Sequence, residues 1–208
     1  SYSLCSTPEQ PILSVGVKEV PKGVFSSYIN QSLRVGDSLN ISPPEGRFFF
    51  DSKNENQSIL AIAAGSGITP VLSILNSFLT HNKSGKFTLI YGNKTPEEGM
   101  FYKELKALEE EHPKQLKIHW VFSRSNEEGA LFGRIDDSVI NFAFNQELLL
   151  PDHTFICGPE PMTLENIKEL INIGVSKQTI HFELFTANTE TKHIENKANN
   201  VGIAEKPQ

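Results

Sequence analysis

Gly65, Ser66, Gly67, Ile68, Thr69 and Pro70 form a short stretch with two glycines. It follows an unbroken apolar run, Ile59 to Ala64, and precedes apolar residues at Val71, Leu72, Leu75, Phe78 and Leu79. Two glycines let the backbone bend sharply and let a ligand approach it, and the free N–H groups that open a helix attract anions. A phosphate is the natural guest. Pro70 suits a first helical turn, where its missing N–H costs nothing. A full GxGxxG fingerprint would need glycine where Pro70 stands, so the same residues also read as a tight strand-to-helix turn of any α/β domain.

Other residue types able to do chemistry fall at the ends of later apolar runs. Ser123 and Arg124 offer a hydroxyl donor and a planar cation suited to phosphate. Tyr91 to Lys94 hold no carboxylate at the point where an NAD-preferring site usually has an Asp or Glu for the ribose 2′-hydroxyl. Together they favour NADPH over NADH; the alternative is that Arg124 and Lys94 are solvated loop charges. Cys157, before Gly158 and Pro159, is either directed at the ligand side or an inert buried thiol. Glu183, before Leu184 and Phe185, is either part of the site or a solvated carboxylate beside a core phenylalanine.

These positions need a scaffold, and the apolar pattern supplies one. A run without alternation, Ile59 to Ala64, suits a strand covered on both faces, and apolar spacing from Ile68 to His81 suits a helix. The pattern continues with strand Phe87 to Tyr91, helix Glu97 to Glu111, strand Leu116 to Phe122 and helix Asp136 to Phe144. Strand Thr154 to Cys157, helix Pro161 to Ile173 and strand Thr179 to Leu184 follow. Five strands alternating with four helices imply an α/β nucleotide-binding domain with a parallel sheet and right-handed crossovers. Its ligand would lie beyond the carboxyl ends of the strands.

Upstream, Tyr2 to Cys5, Ile12 to Val17 and Ser38 to Ile41 read as short strands of antiparallel type, with one helix between Gly23 and Leu33. They are too few to close a barrel. The expected division is 1-54, part of a β-barrel domain; 55-187, the nucleotide domain; and 188-208, a polar linker without a periodic apolar face.

Composition removes several function classes. A net charge of -6 over 208 residues and no dense Lys/Arg cluster give no electrostatic footprint for nucleic acid or an anionic membrane. Cys5 and Cys157 lie far apart and in no ligand spacing, so no metal site is expected. Nothing approaches a membrane span or a signal segment, and a cytoplasmic location is the default.

The stretches Ser1 to Leu4, Val17-Lys18, Gly23 to Ser26, Ala64 to Pro70, Ser123-Arg124, Cys157 to Met162 and Glu183 to Phe185, in that order, resemble the ferredoxin-NADP reductase superfamily. Gly46 to Phe48, Tyr91 to Asn93, Gly133 to Asp136 and the Cys-Gly-Pro-Glu-Pro-Met run are most similar to its phenylacetate-degradation branch. The resemblance implies a flavin domain followed by a nicotinamide domain.

On that basis Tyr2 and Ser3 would hold the flavin ring and ribityl-phosphate region of FAD. Val17, Lys18, Gly23, Val24, Phe25 and Ser26 would hold its pyrophosphate. Gly65, Ser66, Gly67, Ile68, Thr69 and Pro70 would take the pyrophosphate of NADPH (or NADH), and Ser123 and Arg124 its 2′-phosphate. Cys157 and Glu183 would position the nicotinamide as the catalytic pair, with Gly158, Pro159, Met162 and Phe185 beside it.

Hydride would pass from NADPH to the flavin, and electrons singly to a 2Fe-2S centre and an oxygenase component or other acceptor protein. The family's opening arginine would precede Ser1, and the 2Fe-2S domain of the phenylacetate branch, which needs four cysteines, would follow the polar tail. Truncation at both ends is therefore expected. Rival readings are a stand-alone flavin or ferredoxin reductase, a flavohaemoglobin-type reductase half, and a non-catalytic dinucleotide-binding electron-transfer subunit.

Overall fold

The computed structural model describes residues 1–50, 56–147 and 150–185. The nucleotide region is built on six parallel strands: β1 (Ser58–Ala64), β2 (Lys86–Asn93), β3 (Leu116–Phe122), β4 (Leu131–Phe132), β5 (His153–Gly158) and β6 (Ile180–Leu184). Their order is β4-β3-β2-β1-β5-β6, so the chain runs outward from β1 to one edge and then returns to the other side of β1. Between β1 and β5 the crossovers diverge, which makes the carboxyl ends of these two strands the switch point where open α/β sheets bind their ligands.

Helices α1 (Val24–Gln31), α2 (Ile68–His81), α3 (Tyr102–Glu111), α4 (Asp137–Glu147) and α5 (Glu160–Asn172) complete the architecture. The apolar runs are continuous because both sheet faces are covered. Ile59, Ala61, Ala63, Leu89, Tyr91, Phe155 and Cys157 pack with α2 residues such as Leu75 and Phe78. Leu60, Ile62, Ile90, Val121 and Ile156 pack on the opposite face with Ile140 and Leu170. Each fully buried aliphatic side chain of this kind contributes about 1.5–3 kcal/mol before chain entropy is counted.

The sheet departs from the expected five strands by one. Leu131 and Phe132 add a two-residue edge strand beside Val121 and Phe122, too short to register in any periodicity. The third helix begins at Tyr102 rather than Glu97. Residues 95 to 99 instead close a turn through Glu98 N–H to Thr95 Oγ1 (3.4 Å) and Gly99 N–H to the Pro96 carbonyl (3.1 Å), and Phe101 at φ 58° interrupts any helical path.

The N-terminal segment differs more. No strand forms there among the described residues; a lone antiparallel bridge joins Leu4 and Val15, and Cys5 N–H donates to the Ser14 carbonyl at 2.9 Å. An isolated two-stranded pairing is marginal without further strands, and Ile12, Leu13, Val35 and Ile41 remain exposed. The expected helix forms as α1. This segment is nonetheless tied to the nucleotide region: Ser73 Oγ donates to the Ser6 carbonyl at 2.8 Å, and Phe48 and Phe50 lie edge-on to Phe155. The boundary expected between 54 and 55 falls on residues 51–55, and the tail 188–208 likewise lies outside the described residues.

Two imidazoles, one buried and one half-buried, give the fold a pH dependence. His119 on β3 is 7% exposed and edge-on to Phe142; burial, and then Lys117, hold it below the ordinary imidazole range. His181 is lowered by burial and then by His153. The unfolded chain binds protons more readily than the folded one, so stability is fully present above about pH 6.5 and declines as the pH falls toward the depressed folded values. Urea midpoints measured across that range should fall on acidification. In His119→Gln the fall should be shallower, and an unchanged slope would remove His119 as a contributor.

Candidate functional site

The carboxyl end of β1 turns immediately into a 3₁₀ turn, Gly65–Gly67, which feeds α2. Gly65 has φ +55°, and a Cβ built there meets nothing within 4 Å, so its outer side faces open space. A Cβ on Gly67 would fall on the carbonyl group of Cys157 and 3.0 Å from the Gly158 nitrogen. One glycine therefore provides the left-handed turn and the other the close approach of α2 to β5. Thr69 Oγ1 donates to the Ser66 carbonyl at 3.0 Å, and Ile68 and Pro70 are buried within the first turn of α2. Backbone N–H groups at this helix start, beside a side-chain-free opening, suit a pyrophosphate.

Tyr91 holds this turn from below. Its hydroxyl lies 3.0 Å from the Gly65 carbonyl and 3.2 Å from that of Met100, so its single proton is shared between two loops. Burial pushes the phenol well above its usual range, which keeps it a donor. The sequence places Tyr91 at a strand end and nothing more. Its role depends on a contact across 26 residues, and the signal available was a polar tip at the end of an otherwise apolar strand.

The second cluster joins the ends of the described chain. Cys157 on β5 stands in register with Glu183 on β6, and the Ser3 hydroxyl lies 3.2 Å from the Glu183 carboxylate. Cys157 is fully buried; burial, and then the charge of Glu183, push its thiol far up, so the sulfur is a neutral thiol and not a nucleophilic thiolate. Phe185 N–H donates to the Gly158 carbonyl at 3.1 Å. Met162 packs under Gly158, where a Cβ would come 2.8 Å from its Cε, and Pro159 is the cap residue before α5. Tyr2, neighbour of Ser3, is 5.6 Å ring to ring from Phe25, which is 6.3 Å from Tyr28, giving a partly exposed aromatic row.

The remaining sequence candidates separate into two groups. Gly23 precedes α1, with Val24 exposed at its start, and Ser26 is buried and used internally: Val20 N–H donates to its hydroxyl at 3.2 Å. Lys18, next to Val17, directs its ammonium to the Glu98 carbonyl at 2.9 Å. Beyond the carboxyl ends of β2 and β3, Ser123 N–H donates to the Asn93 carbonyl at 3.0 Å and Arg124 N–H to that of Lys94 at 2.8 Å. These bonds extend the β2–β3 ladder beyond the strands and keep Ser123, Arg124 and Lys94 on adjoining turns.

An open parallel sheet with a glycine turn and a helix start at its switch point defines a dinucleotide-binding α/β domain. The sequence profile of the oxidoreductase NAD-binding domain matches residues 61–165, and the chain belongs to that family.

Among curated proteins it is 37% identical over 206 residues to one of the subunits of the 1,2-phenylacetyl-CoA epoxidase of Escherichia coli K12, covering 94% of this chain and 56% of that protein. It is 33% identical to the ferredoxin reductase component of 3-ketosteroid-9-alpha-monooxygenase from Rhodococcus rhodochrous, covering 89% and 50%. The chain thus spans about half the length of these relatives. Among solved structures, the flavohem-like FAD/NAD binding domain of nitric oxide dioxygenase from Vibrio cholerae O1 biovar El Tor superposes with a TM-score of 0.76 at 28% identity, covering 88% of this chain and 76% of that one. These similarities agree with the ferredoxin reductase-like resemblance carried by the sequence.

Proposed function

We propose that the chain is the nicotinamide-nucleotide-binding part, with a portion of the flavin-binding part, of an NAD(P)H-dependent flavoprotein reductase. In the whole protein electrons would run from NADPH through FAD to a 2Fe-2S centre and then to an oxygenase component, in phenylacetate degradation. The observation that carries the reading is the convergence of Ser3, Cys157 and Glu183 beside the Gly65–Gly67 turn. Support for the electron route comes from two relatives named as parts of an epoxidase and a monooxygenase.

When bound, the two cofactors supply hydride and one-electron chemistry. The chain's own residues bind and orient. Backbone N–H groups from Gly65 to Thr69 hold a pyrophosphate, and Tyr91 fixes that turn. Ser123 and Arg124 take a 2′-phosphate. Glu183, held by the Ser3 hydroxyl, stands over the neutral Cys157 thiol, and the two set the polarity where the reacting rings would meet. Tyr2 and Phe25 offer apolar faces to a flavin, and the N–H groups opening α1 offer an anion site for its pyrophosphate.

The test is a visible absorption spectrum of the full-length protein, followed anaerobically as NADPH and then NADH are added. Flavin bands with iron-sulfur absorption, bleached faster by NADPH, are expected. A colourless protein would overturn the redox reading. Bands bleached equally fast by both nucleotides would remove the 2′-phosphate assignment of Ser123 and Arg124 alone.

A further inference from the structure

Sequence order puts no carboxylate at the end of β2, yet folding brings one there. Lys94, the residue after β2, has its ammonium 3.1 Å from the carboxylate of Glu98. Lys94 is also the residue whose carbonyl accepts Arg124 N–H at 2.8 Å, so Glu98 belongs to the same corner as Arg124. In an open α/β sheet this is where a nucleotide's 2′-position is discriminated: a carboxylate suits a free 2′-hydroxyl, and cations suit a 2′-phosphate. The corner therefore sets the carboxylate of Glu98 directly against the Lys94 cation, with Arg124 on the adjoining turn.

Glu98 is held in place rather than drifting on a loop. Its N–H donates to Thr95 Oγ1 at 3.4 Å, the following Gly99 N–H closes onto Pro96, and its carbonyl accepts the Lys18 ammonium at 2.9 Å. Three backbone constraints thus aim the side chain back at Lys94. The turn that displaces the start of α3 exists in this form because these bonds close it.

We propose that Glu98 is a specificity-determining residue. Its carboxylate neutralises Lys94 and so limits how strongly the corner prefers a 2′-phosphorylated nucleotide over one with a free 2′-hydroxyl. This rests on the reading of Ser123, Arg124 and Lys94 as the 2′-phosphate corner. Glu98 sets the charge there without touching the reacting rings, so its effect is on binding preference, not on the rate of chemistry.

The experiment is isothermal titration of the full-length protein, as wild type and as Glu98→Gln, with adenosine 2′,5′-bisphosphate and with 5′-AMP, which differ only in the 2′-phosphate. In Glu98→Gln the backbone bonds of the turn remain, and the ratio of the two affinities should rise about fivefold at low salt, the rise shrinking as salt screens the charges. Glu165→Gln, which removes an exposed carboxylate on α5, beside β5 and β6 on the other half of the sheet from β2 and β3, is the control for net charge. There the ratio should stay within about twofold of wild type, since solvent-exposed charges farther off are screened.

A ratio unchanged in Glu98→Gln, with wild type still preferring the bisphosphate, overturns the role of Glu98 and leaves the corner's assignment standing. An equal rise in both variants overturns it too, because the effect is then one of overall charge. A wild type without preference for the bisphosphate overturns the assignment and the proposal together.

Discussion

Gly67→Ala is expected to unfold or nearly unfold the nucleotide region, a loss of about 3 kcal/mol or more where overpacking of backbone has no flexible side chain to absorb it. The added methyl would strike the Cys157 carbonyl group and crowd the Gly158 nitrogen. Both belong to β5, a strand paired on each side: Ala63 is in register with Cys157 from β1, and Glu183 from β6. Moving β5 away breaks a central ladder, and moving α2 away opens the core around Ile68 and Val71. Gly65→Ala makes the useful contrast. That methyl meets nothing within 4 Å, and the cost is the left-handed φ of +55°, about 1 kcal/mol. Urea unfolding of the two variants should separate them clearly. A Gly67→Ala protein within about 1 kcal/mol of wild type would mean that helix and strand do not meet as described.

The contrast also explains which parts of the molecule were legible in the sequence. β1 and α2 could be read almost to the residue, because a two-face-buried strand, two glycines and a helical apolar stripe are all local signals. The α3 boundary was not legible, since it depends on Thr95, Pro96 and Glu98 closing a turn and on Lys18 reaching it across 80 residues. The N-terminal strands form only as the antiparallel bridge between Leu4 and Val15, for a related reason. Alternation in Ile12 to Val17 reports a preference for pairing, and the partners that would satisfy it are not specified by that stretch. Within the site, the glycine turn announced itself, whereas the Ser3 contact with Glu183 spans 180 residues and entered only through family resemblance. Tyr91 offered only a polar tip on an apolar strand and Glu98 no local signal of its role, because each acts by reaching a carbonyl or an ammonium on another turn.

Phe155→Ala should be the second severe substitution, and it tests how the N-terminal segment is attached. Phe155 is 1% exposed and sits among Phe48 at 5.4 Å, Phe50 at 6.3 Å and a stacked His181 at 4.9 Å. Truncating a buried phenylalanine costs about 3–5 kcal/mol through lost burial and the cavity left behind. Part of that loss here falls on the docking of Phe48 and Phe50, which place the segment carrying Tyr2 and Ser3 against the sheet. Phe87→Ala supplies the comparison: Phe87 is fully buried and edge-on to Phe78 at 5.4 Å, so it should cost a similar amount while reaching the segment only at second hand, through Phe78, which lies 6.1 Å from Phe50. Urea unfolding should therefore show two comparable losses. Tryptic cleavage after Arg47 under native conditions should be accelerated by Phe155→Ala well beyond Phe87→Ala. Equal cleavage rates in two variants of equal stability would show that Phe48 and Phe50 do not anchor the segment, and the approach of Ser3 to Glu183 would need another cause.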